Sequence, residues 1–597
     1  MKIKDTNSDN QKNVSRKFGE INSMNRSVSA KFLEKPYSFL LIDLIIALPF
    51  LLLPLFVNLP YRVNIFLTYE GAYRMLLGQV PFQDYGQPMG FGFWLIPLLF
   101  FKLFGPTFMS LVKAQVLINL ISLTALRGIL YNLKIKPLAI TLAILLFCLS
   151  YVIYNFWPWY NHIVVVFELI TLYFLTLFSS AGLHEPLQPA RLSARPTGSS
   201  GRDSGGDESV GQPVGEIRQN RKLSFSVNLV LAGFFCFLTI FTKQDVGGIC
   251  LLFSLFVLGY IGLNEKSIKP ILTFGISFGI TAALFILPFL HYDFLYWFNY
   301  GQAPHSSRIS MALLLDVFLS SSILEKVYLF ILLGAVILHV PSFRAFISDR
   351  NLFLTLAICV VMILQSMVTR VTSPYPTDHM TYFHTFAFIG VALFLPWEKW
   401  SKTLVSIAVL MLSLAFIYSN GVWKYVALRI PAPGPDSVAT PPVSKPWVEG
   451  ALPTLRHVLV PPETNRGIKE IMALPFLHKK ELKVLNMSEL TFLAYEIGYT
   501  PQTDQPLWYH MNIGMFQKQV DEINHKIQGG YYDLVLFQSI TSLPTFYPLA
   551  ISDELKKKYL LYDTFAAPRK LEDSSIDVFI NPDLASQYGL KTVSSKQ

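Results

Sequence analysis

Long apolar runs and short polar segments alternate along the first 420 residues of the chain. Most of these runs reach or approach 20 residues, the length a helix needs to cross about 30 Å of hydrocarbon. The pattern predicts an all-α polytopic membrane bundle of about eleven transmembrane helices with a large first external loop. The predicted spans are Phe39–Pro60, Thr107–Leu130, Pro137–Tyr154, Ile163–Ser180, Ser226–Phe241, Ile249–Leu263, Pro270–Leu290, Val327–Val340, Asn351–Val368, Phe386–Leu395 and Thr403–Tyr418.

Three other regions differ from this pattern. Residues 1–37 are polar and basic, which predicts a disordered cytoplasmic tail before a transmembrane domain at 38–420. Within that domain, the Gly-, Pro-, Ser- and Arg-rich residues 182–222 predict a disordered cytoplasmic linker. Residues 421–597 mix helical patterns with strand-like ones, such as Tyr531–Ile540 and Ser575–Asn581, and predict a small external α/β domain.

The composition agrees with a membrane protein, and the distribution of its charges predicts how the protein is oriented in the membrane. The chain is 52% hydrophobic and 15% charged, against about 25% charged residues in soluble domains. Its net charge of +10 lies mostly in short loops of the membrane half, as the positive-inside rule describes. This distribution indicates membrane lipids and no nucleic acid as partners. It predicts a multi-pass membrane protein with the C-terminal domain outside.

Two acids, Glu70 and Asp84, follow the first apolar run and are the candidate catalytic residues. A carboxylate held near the membrane surface between aromatic side chains can act as a general base. Two carboxylates can instead hold a divalent cation, although no specific metal motif is present and the cofactor stays unknown. The alternative is that both are ordinary loop carboxylates.

The stretch "YEGAYRMLLGQVPFQDYGQPMGFGFWLIPLLFFKLFG" resembles the first external loop of the class C glycosyltransferases. These polytopic enzymes use polyprenyl-phosphate sugars and include protein O-mannosyltransferases and the aminoarabinose transferases of lipid A. The chain departs from the family at Tyr69, where an acid is common, and Glu70 is the nearest equivalent. The matching positions are Glu70, Gly71, Tyr73, Leu77, Gly78, Pro81, Phe82, Asp84, Phe104 and Gly105.

The resemblance extends to later polar turns and implies substrate-binding roles there. "FTKQDVGG" resembles a lysine-containing turn between two spans, in which the lysine would neutralise a lipid phosphate. "TRVTSPYPTDHMTYFH" resembles a later external loop with an arginine and an Asp-His step facing the active cavity. The alternative is that these charges only anchor span ends or pair with each other. The implied substrate-binding residues are Tyr73, Lys243, Gln244, Asp245, Arg308, Arg370, Asp378 and His379.

The function implied is a membrane glycosyltransferase, a hexosyl- or pentosyltransferase. It would move a sugar from a polyprenyl-phosphate donor to an external acceptor, which is a lipid, a glycan or a protein. Two alternatives stay open, a transporter or flippase of lipid-linked glycans and a catalytically inactive assembly subunit of the same fold. Few ionisable residues fall within the predicted spans, which counts against a coupled transporter.

Overall fold

The computed structural model describes residues 36–62, 65–181, 214–298, 310–373, 377–395, 447–541, 543, 545–568 and 574–591. The predicted N-terminal tail, Arg308 and the predicted span Thr403–Tyr418 therefore lie outside the described residues. So do the side chain of Asp378 and most of the predicted linker.

The described residues up to Ala181 form six α-helices and two very short strands. The helices of this part are α1 (Pro36–Leu52), α2 (Ile65–Leu76), α3 (Leu95–Phe104), α4 (Phe108–Asn132), α5 (Pro137–Ser150) and α6 (Tyr160–Ala181). The strands are β1 (Leu59–Pro60) and β2 (Tyr85–Gly86).

The second part of the chain, from Val214 to Leu395, is helical throughout its described residues. Its first helix begins inside the predicted linker, because "EIRQNRKL" consists largely of residues compatible with a helix. The helices are α7 (Val214–Thr242), α8 (Gln244–Glu265), α9 (Lys269–Ile286), α10 (Phe294–Phe298), α11 (Met311–Asp316), α12 (Ile323–His339), α13 (Phe343–Ser348), α14 (Arg350–Thr372) and α15 (Phe383–Ala392).

Six helical segments in the described part of the chain are long and apolar enough to cross a bilayer, so the chain is a multi-pass integral membrane protein. A bent pair, Met311–Ser321 with Ile323–His339, passes the same test when its two arms are taken together, and they meet at 81°. At the predicted first, fifth and tenth spans, the apolar helical stretches among the described residues are shorter, namely Phe39–Leu55, Ser226–Thr242 and Phe383–Ala392, so a count of eleven is not established. The six are Phe108–Asn132, Pro137–Tyr154, Tyr160–Ser180, Gln244–Glu265, Lys269–Phe289 and Arg350–Thr372.

The outer helices of the bundle expose apolar side chains. In the most apolar 18-residue stretch of Lys269–Phe289, which contains α9, only 22% of the residues are buried within the protein. The side chains of Ile276, Ile280 and Leu284 on that helix are all exposed. A soluble protein rarely shows so continuous an apolar surface, and this surface is the one expected to contact lipid.

The C-terminal segment, residues 447–591, carries the remaining strands. A four-stranded sheet is formed, in spatial order, by Val484–Met487 (β5), Leu534–Ile540 (β7), Ser574–Ile580 (β9) and Leu560–Ala566 (β8). Strands β5 and β7 are parallel, and the other two neighbouring pairs are antiparallel. Both strands predicted from sequence, Tyr531–Ile540 and Ser575–Asn581, are in this sheet. The elements are β3 (Val448–Glu449), β4 (Val458–Val460), α16 (Pro462–Met472), β5 (Val484–Met487), α17 (Leu493–Ile497), β6 (Gln505–Pro506), α18 (Gln517–Gln528), β7 (Leu534–Ile540), α19 (Leu549–Lys558), β8 (Leu560–Ala566), β9 (Ser574–Ile580) and α20 (Pro582–Gln587).

Two short parallel pairings join the C-terminal segment to the region after α1. Strand β1 pairs with β4, and β2 pairs with β6. The hydroxyl of Tyr61 also donates a hydrogen bond to the carbonyl of Glu489, at 2.9 Å. One continuous apolar core includes Phe66 and Phe108 from the first part and Phe492 from the C-terminal segment. The C-terminal segment is therefore packed directly on the stretch that carries the candidate acids.

The predicted orientation can be tested by labelling single introduced cysteines in intact cells, because all four native cysteines are buried. Ser586 on α20 is exposed, whereas Ser200 is in the predicted cytoplasmic linker. A membrane-impermeant maleimide should label Ser586→Cys but not Ser200→Cys until the cells are permeabilised. Labelling of Ser200→Cys alone in intact cells would show that the positive-inside assignment is wrong.

Candidate functional site

The stretch carrying Glu70 forms a helix, α2, and not the loop that its glycines and aromatics suggest. Its residues from Ile65 to Arg74 are all buried. Gly71 allows one side of the helix to lie against the indole of Trp94, and a Cβ at this position would come within 1.9 Å of that ring. The indole Nε1–H donates to the carbonyl of Leu67, at 3.1 Å. These contacts fix the rotation of α2 and so the direction in which Glu70 points.

Glu70 and Arg74 form a buried ion pair along α2. Glu70 Oε1 accepts from Arg74 Nε and Nη2, each at 2.8 Å. The spacing of four residues brings both side chains to one face of the helix. Arg74 Nη1 also donates to Gln79 Oε1 at 3.0 Å and to the carbonyl of Gln502 at 2.8 Å. The guanidinium therefore joins α2 to the following turn and to the C-terminal segment.

Glu70 and Arg74 line a small cavity between α2 and the C-terminal segment. Its volume is about 10 Å³, close to the space that one water molecule needs. Burial raises the pKa of Glu70, and the neighbouring Arg74 guanidinium lowers it in part. A carboxyl with a raised pKa beside a polar cavity is a candidate general base. The other lining residues are Val484, Asn486, Thr491, Ala494, Tyr499, Pro501, Gln502, Gln505 and Tyr509.

Tyr69 occupies the position at which the family resemblance expects an acid. Its hydroxyl donates to the carbonyl of Pro106 at 2.6 Å, and its ring stacks on Phe108. Burial raises the pKa of this phenol well above its ordinary value, so it stays protonated at neutral pH. Tyr69 therefore acts as a packing residue and does not replace the missing carboxylate.

Tyr73, predicted to bind substrate, lies one turn further along α2. Its ring contacts that of Tyr495 edge-on, with centroids 6.1 Å apart. Burial raises the pKa of Tyr73 to about 12. The side chain thus belongs to the wall between α2 and the C-terminal segment, close to Glu70.

Asp84 shapes the turn that follows α2. It is half-buried, and its Oδ2 accepts from the backbone N–H of Val80 at 2.7 Å. Its own carbonyl accepts from the N–H of Asp504, at 2.8 Å. The turn contains Phe82 at a φ of 66°, a conformation that such bonds help to hold. These contacts give Asp84 a local structural role in addition to the catalytic role predicted for it.

The predicted phosphate-binding turn lies between α7 and α8. Lys243 is buried, and its Nζ lies 3.0 Å from Asp245 Oδ2 and 3.2 Å from Thr372 Oγ1. The hydroxyl of Thr372 donates in turn to Asp245. Pairing of Lys243 with Asp245 was the simpler of the two sequence interpretations, and the structure contains that pair. Lys243, Asp245 and α14 are thereby held together.

Gln244 links this turn to the segment after β2. Its Nε2 donates to the carbonyls of Pro88 and Phe298, at 3.1 and 3.3 Å. The N–H of Gly90 also donates to the carbonyl of Phe241, at 2.7 Å. Residues 85–90 therefore run from the Glu70 side of the molecule to the Lys243 turn.

The remaining predicted residues fall in two places. Arg370 Nη2 bonds the buried carboxylate of Glu325 at 2.6 Å, which ties α14 to α12. His379 is buried with its ring edge-on to Trp159, at a centroid distance of 5.0 Å. Arg308 and the side chain of Asp378 cannot be placed because they lie outside the described residues.

Sequence reasoning missed two arginines. Arg74 was missed because the stretch was interpreted as a loop, although its spacing from Glu70 is that of a helical ion pair. Arg62 was also missed; it donates to the carbonyl of Tyr154 at 2.7 Å and lies over the ring of Trp159. It connects the start of the first loop with the aromatic residues around His379. No cluster of three or more metal-ligating side chains occurs in the described part of the chain.

The contact between Gly71 and Trp94 gives a stability prediction. Gly71→Ala should lower the free energy of unfolding by roughly 1–3 kcal/mol, as overpacking of a core does. This loss should appear even though alanine is intrinsically the better helix former. Gly92→Ala is the matched control, because its nearest neighbour would lie 3.7 Å from the added Cβ. Thermal unfolding of the two purified variants in detergent measures the difference; equal stability would contradict the observed packing.

The chain is similar to two solved structures of ArnT from Cupriavidus metallidurans. The apo structure matches with a TM-score of 0.49 and 11% sequence identity. The structure bound to undecaprenyl phosphate matches with a TM-score of 0.47 and 10% identity. Each match covers 91% of this chain and 98% of the other chain. No protein-family model matches the sequence, and no curated protein matches it.

Proposed function

We propose that this chain is a membrane glycosyltransferase that moves a sugar from a polyprenyl-phosphate donor to an external acceptor. The acceptor is a lipid, a glycan or a protein, and the sugar is a hexose or a pentose. The sequence resemblance of the first loop supports this class of donor. The proposed arrangement puts the protein in the bacterial inner membrane, with the loop and the C-terminal segment on the outer side.

One structural observation carries the proposal: the segment Tyr85–Pro88, which begins in β2, connects the surroundings of the buried carboxylate with those of the buried lysine. At one end, the Arg74 guanidinium that holds Glu70 lies 5.3 Å from the centroid of the Tyr85 ring. At the other end, Pro88 accepts the hydrogen bond from Gln244, the residue next to Lys243. Tyr85 and Pro88 are three residues apart, which is at most about 11 Å of extended chain.

Such an arrangement suits a reaction with an acid–base centre and an anionic leaving group. The acceptor hydroxyl oxygen would attack the anomeric carbon of the donor sugar while its proton passes to Glu70. The bond between that carbon and the phosphate oxygen would break, and the electron pair would leave with the polyprenyl phosphate. A general base contributes about 10²–10⁴-fold to the rate of such a step.

Cations would stabilise the negative charge on the departing phosphate. Lys243, Arg308 and Arg370 are assigned this role. Lys243 and Arg370 are each held by a carboxylate, Asp245 and Glu325 respectively, so their positions are fixed before donor binds. Tyr73, Gln244, Asp245, Asp378 and His379 are assigned to substrate binding, and Asp84 to positioning the acceptor or the sugar.

The site has to open for this reaction. The cavity beside Glu70 is much smaller than the 300–1,000 Å³ of typical small-molecule sites. Separation of the C-terminal segment from α2 is the movement that would admit an acceptor, because the two form opposite walls of the cavity. The C-terminal segment would thus gate or bind the acceptor.

Glu70→Gln tests the catalytic role directly, because it keeps the shape of the side chain and removes its charge. With a cell-envelope extract as the source of acceptor, release of polyprenyl phosphate from a panel of polyprenyl-phosphate sugars should fall by about 10²–10⁴-fold with donor binding unchanged. Asp84→Asn is the comparison variant and should lose less activity. Because glutamine leaves the buried charge of Arg74 unpaired, some loss of stability is expected, and turnover is compared per molecule of folded protein. Full turnover by folded Glu70→Gln would exclude Glu70 as the base.

A second prediction concerns the pH dependence. Glu70 accepts a proton only when ionised, so activity should be lost as the pH falls through its pKa. Because burial raises that pKa, the acidic limb of kcat/KM should lie above about 4.3, the ordinary value for glutamate. The same limb should be missing from the residual activity of Glu70→Gln. An identical limb in both proteins would assign it to another group.

A further inference from the structure

A lysine-rich pocket opens on the C-terminal segment where the parallel strands β5 and β7 begin. Its volume is about 530 Å³, within the range of small-molecule sites. Residues at the end of α18 and in the turn to β7 form one side of it. The side chains that line it are Lys479, Lys483, His525, Lys526, Tyr531 and Asp533.

The carboxylate in this pocket is already satisfied. Asp533 is buried, and its Oδ1 accepts from Lys479 Nζ at 2.8 Å. Its Oδ2 accepts from the backbone N–H of Lys483 at 2.9 Å. The charge of Asp533 is therefore balanced by that of Lys479, and the ammonium groups of Lys483 and Lys526 remain.

These two ammonium groups share one aromatic ring. Lys483 Nζ lies 4.2 Å from the centroid of Tyr531, and Lys526 Nζ lies 5.6 Å from it. The two nitrogens are thus within about 10 Å of each other. This distance does not exceed the Debye length at 0.1 M salt, so both charges can act on the same bound anion. Among the described residues neither makes an ion pair with a carboxylate. The partial negative charge at the C-terminal end of α18 offsets part of the charge of Lys526, but a net positive pocket remains.

The pocket adjoins the cavity of Glu70. The hydroxyl of Tyr531 lies 3.4 Å from Gln502 Oε1. The carbonyl of Gln502 accepts from Arg74, and Gln502 is one of the residues that line the Glu70 cavity. One residue thus separates the lysine pocket from the ion pair on α2.

We propose that this pocket binds a phosphomonoester group carried by the acceptor. A phosphomonoester has a charge of about −1.5 to −2 at pH 7, which matches two unpaired ammonium groups. Lysine binds phosphate as a point charge and needs no planar geometry. Assigning the phosphate to the acceptor rests on the proposed function, whereas the phosphate site itself does not.

Calorimetric titration of the purified full chain in detergent tests the site, with glucose 1-phosphate as the probe and glucose as the uncharged control. The wild-type protein should bind only the phosphate. The double variant Lys483→Gln/Lys526→Gln should bind it about tenfold or more weakly, because two charge-assisted contacts are lost. Lys483→Arg/Lys526→Arg keeps both charges and should retain binding, which separates loss of charge from a folding defect.

The matched control is Lys518→Gln/Lys557→Gln, which removes the same charge from exposed lysines of the C-terminal segment outside the pocket. It should bind glucose 1-phosphate as the wild type does. Absence of binding by the wild type, or equal weakening in both glutamine variants, would overturn the inference.

A second titration distinguishes the two sources of such a phosphate. Short-chain phosphatidic acid should bind more tightly than glucose 1-phosphate if the acceptor is a lipid, and less tightly if it is a glycan; either order supports the site. Binding without release of polyprenyl phosphate from any donor would keep the phosphate site and remove its acceptor role. Donor cleavage by a protein that binds neither phosphomonoester would reject this inference and leave the proposed function standing.

Discussion

The rest of the candidate site depends on the interactions of one group, the guanidinium of Arg74. It neutralises Glu70 on the same helix, bonds Gln79 in the next turn, lies against Tyr85 and bonds the carbonyl of Gln502 in the C-terminal segment. Removing one partner of a buried ion pair typically costs about 3–5 kcal/mol, because the other charge is left buried and unpaired. Arg74 thereby sets both the ionisation of Glu70 and the attachment of the C-terminal segment.

The attachment explains why residues more than 400 positions apart in sequence form one wall. Strands β1 and β2 are only two residues long, and two-residue pairings alone are too short to be stable. The aromatic core that contains Phe66, Phe108 and Phe492 supplies the burial that holds them. The Glu70 cavity and the lysine pocket lie on either side of Gln502. A movement of the loop that carries Gln502, between α17 and β6, would therefore affect both.

Much of the architecture was predictable from hydrophobic patterning. Runs such as Phe108–Asn132 and Arg350–Thr372 are long and predominantly apolar, and a helix satisfies all the backbone polar groups of such a run within a bilayer. The strands at Leu534–Ile540 and Ser574–Ile580 follow from short β-branched and aromatic runs. The short apolar helices after the first span were harder to assign from sequence. Their length and apolar content do not distinguish a membrane span from an interfacial or buried segment.

The site was predictable only in part. The catalytic role of Glu70 stays a prediction. The helix that carries Glu70 was not predicted, because packing against Trp94 overrides the low helix propensity of Gly71. Lys243 and Asp245 were recognised as neighbours in sequence, and their pairing follows from that proximity. By contrast, the bonds from Arg74 to Gln502 and from Arg370 to Glu325 join distant segments. No local pattern in a single sequence encodes such contacts.

The central claim is that the chain breaks the bond between a sugar and a polyprenyl phosphate. Its most direct test is mass spectrometry of the lipids in proteoliposomes that contain the purified chain, a cell-envelope extract as the source of acceptor, and one polyprenyl-phosphate sugar at a time. The account predicts that, with at least one donor, free polyprenyl phosphate accumulates in proportion to the amount of protein. If every donor stays intact and instead moves between the two leaflets, the chain is a flippase and the account is contradicted.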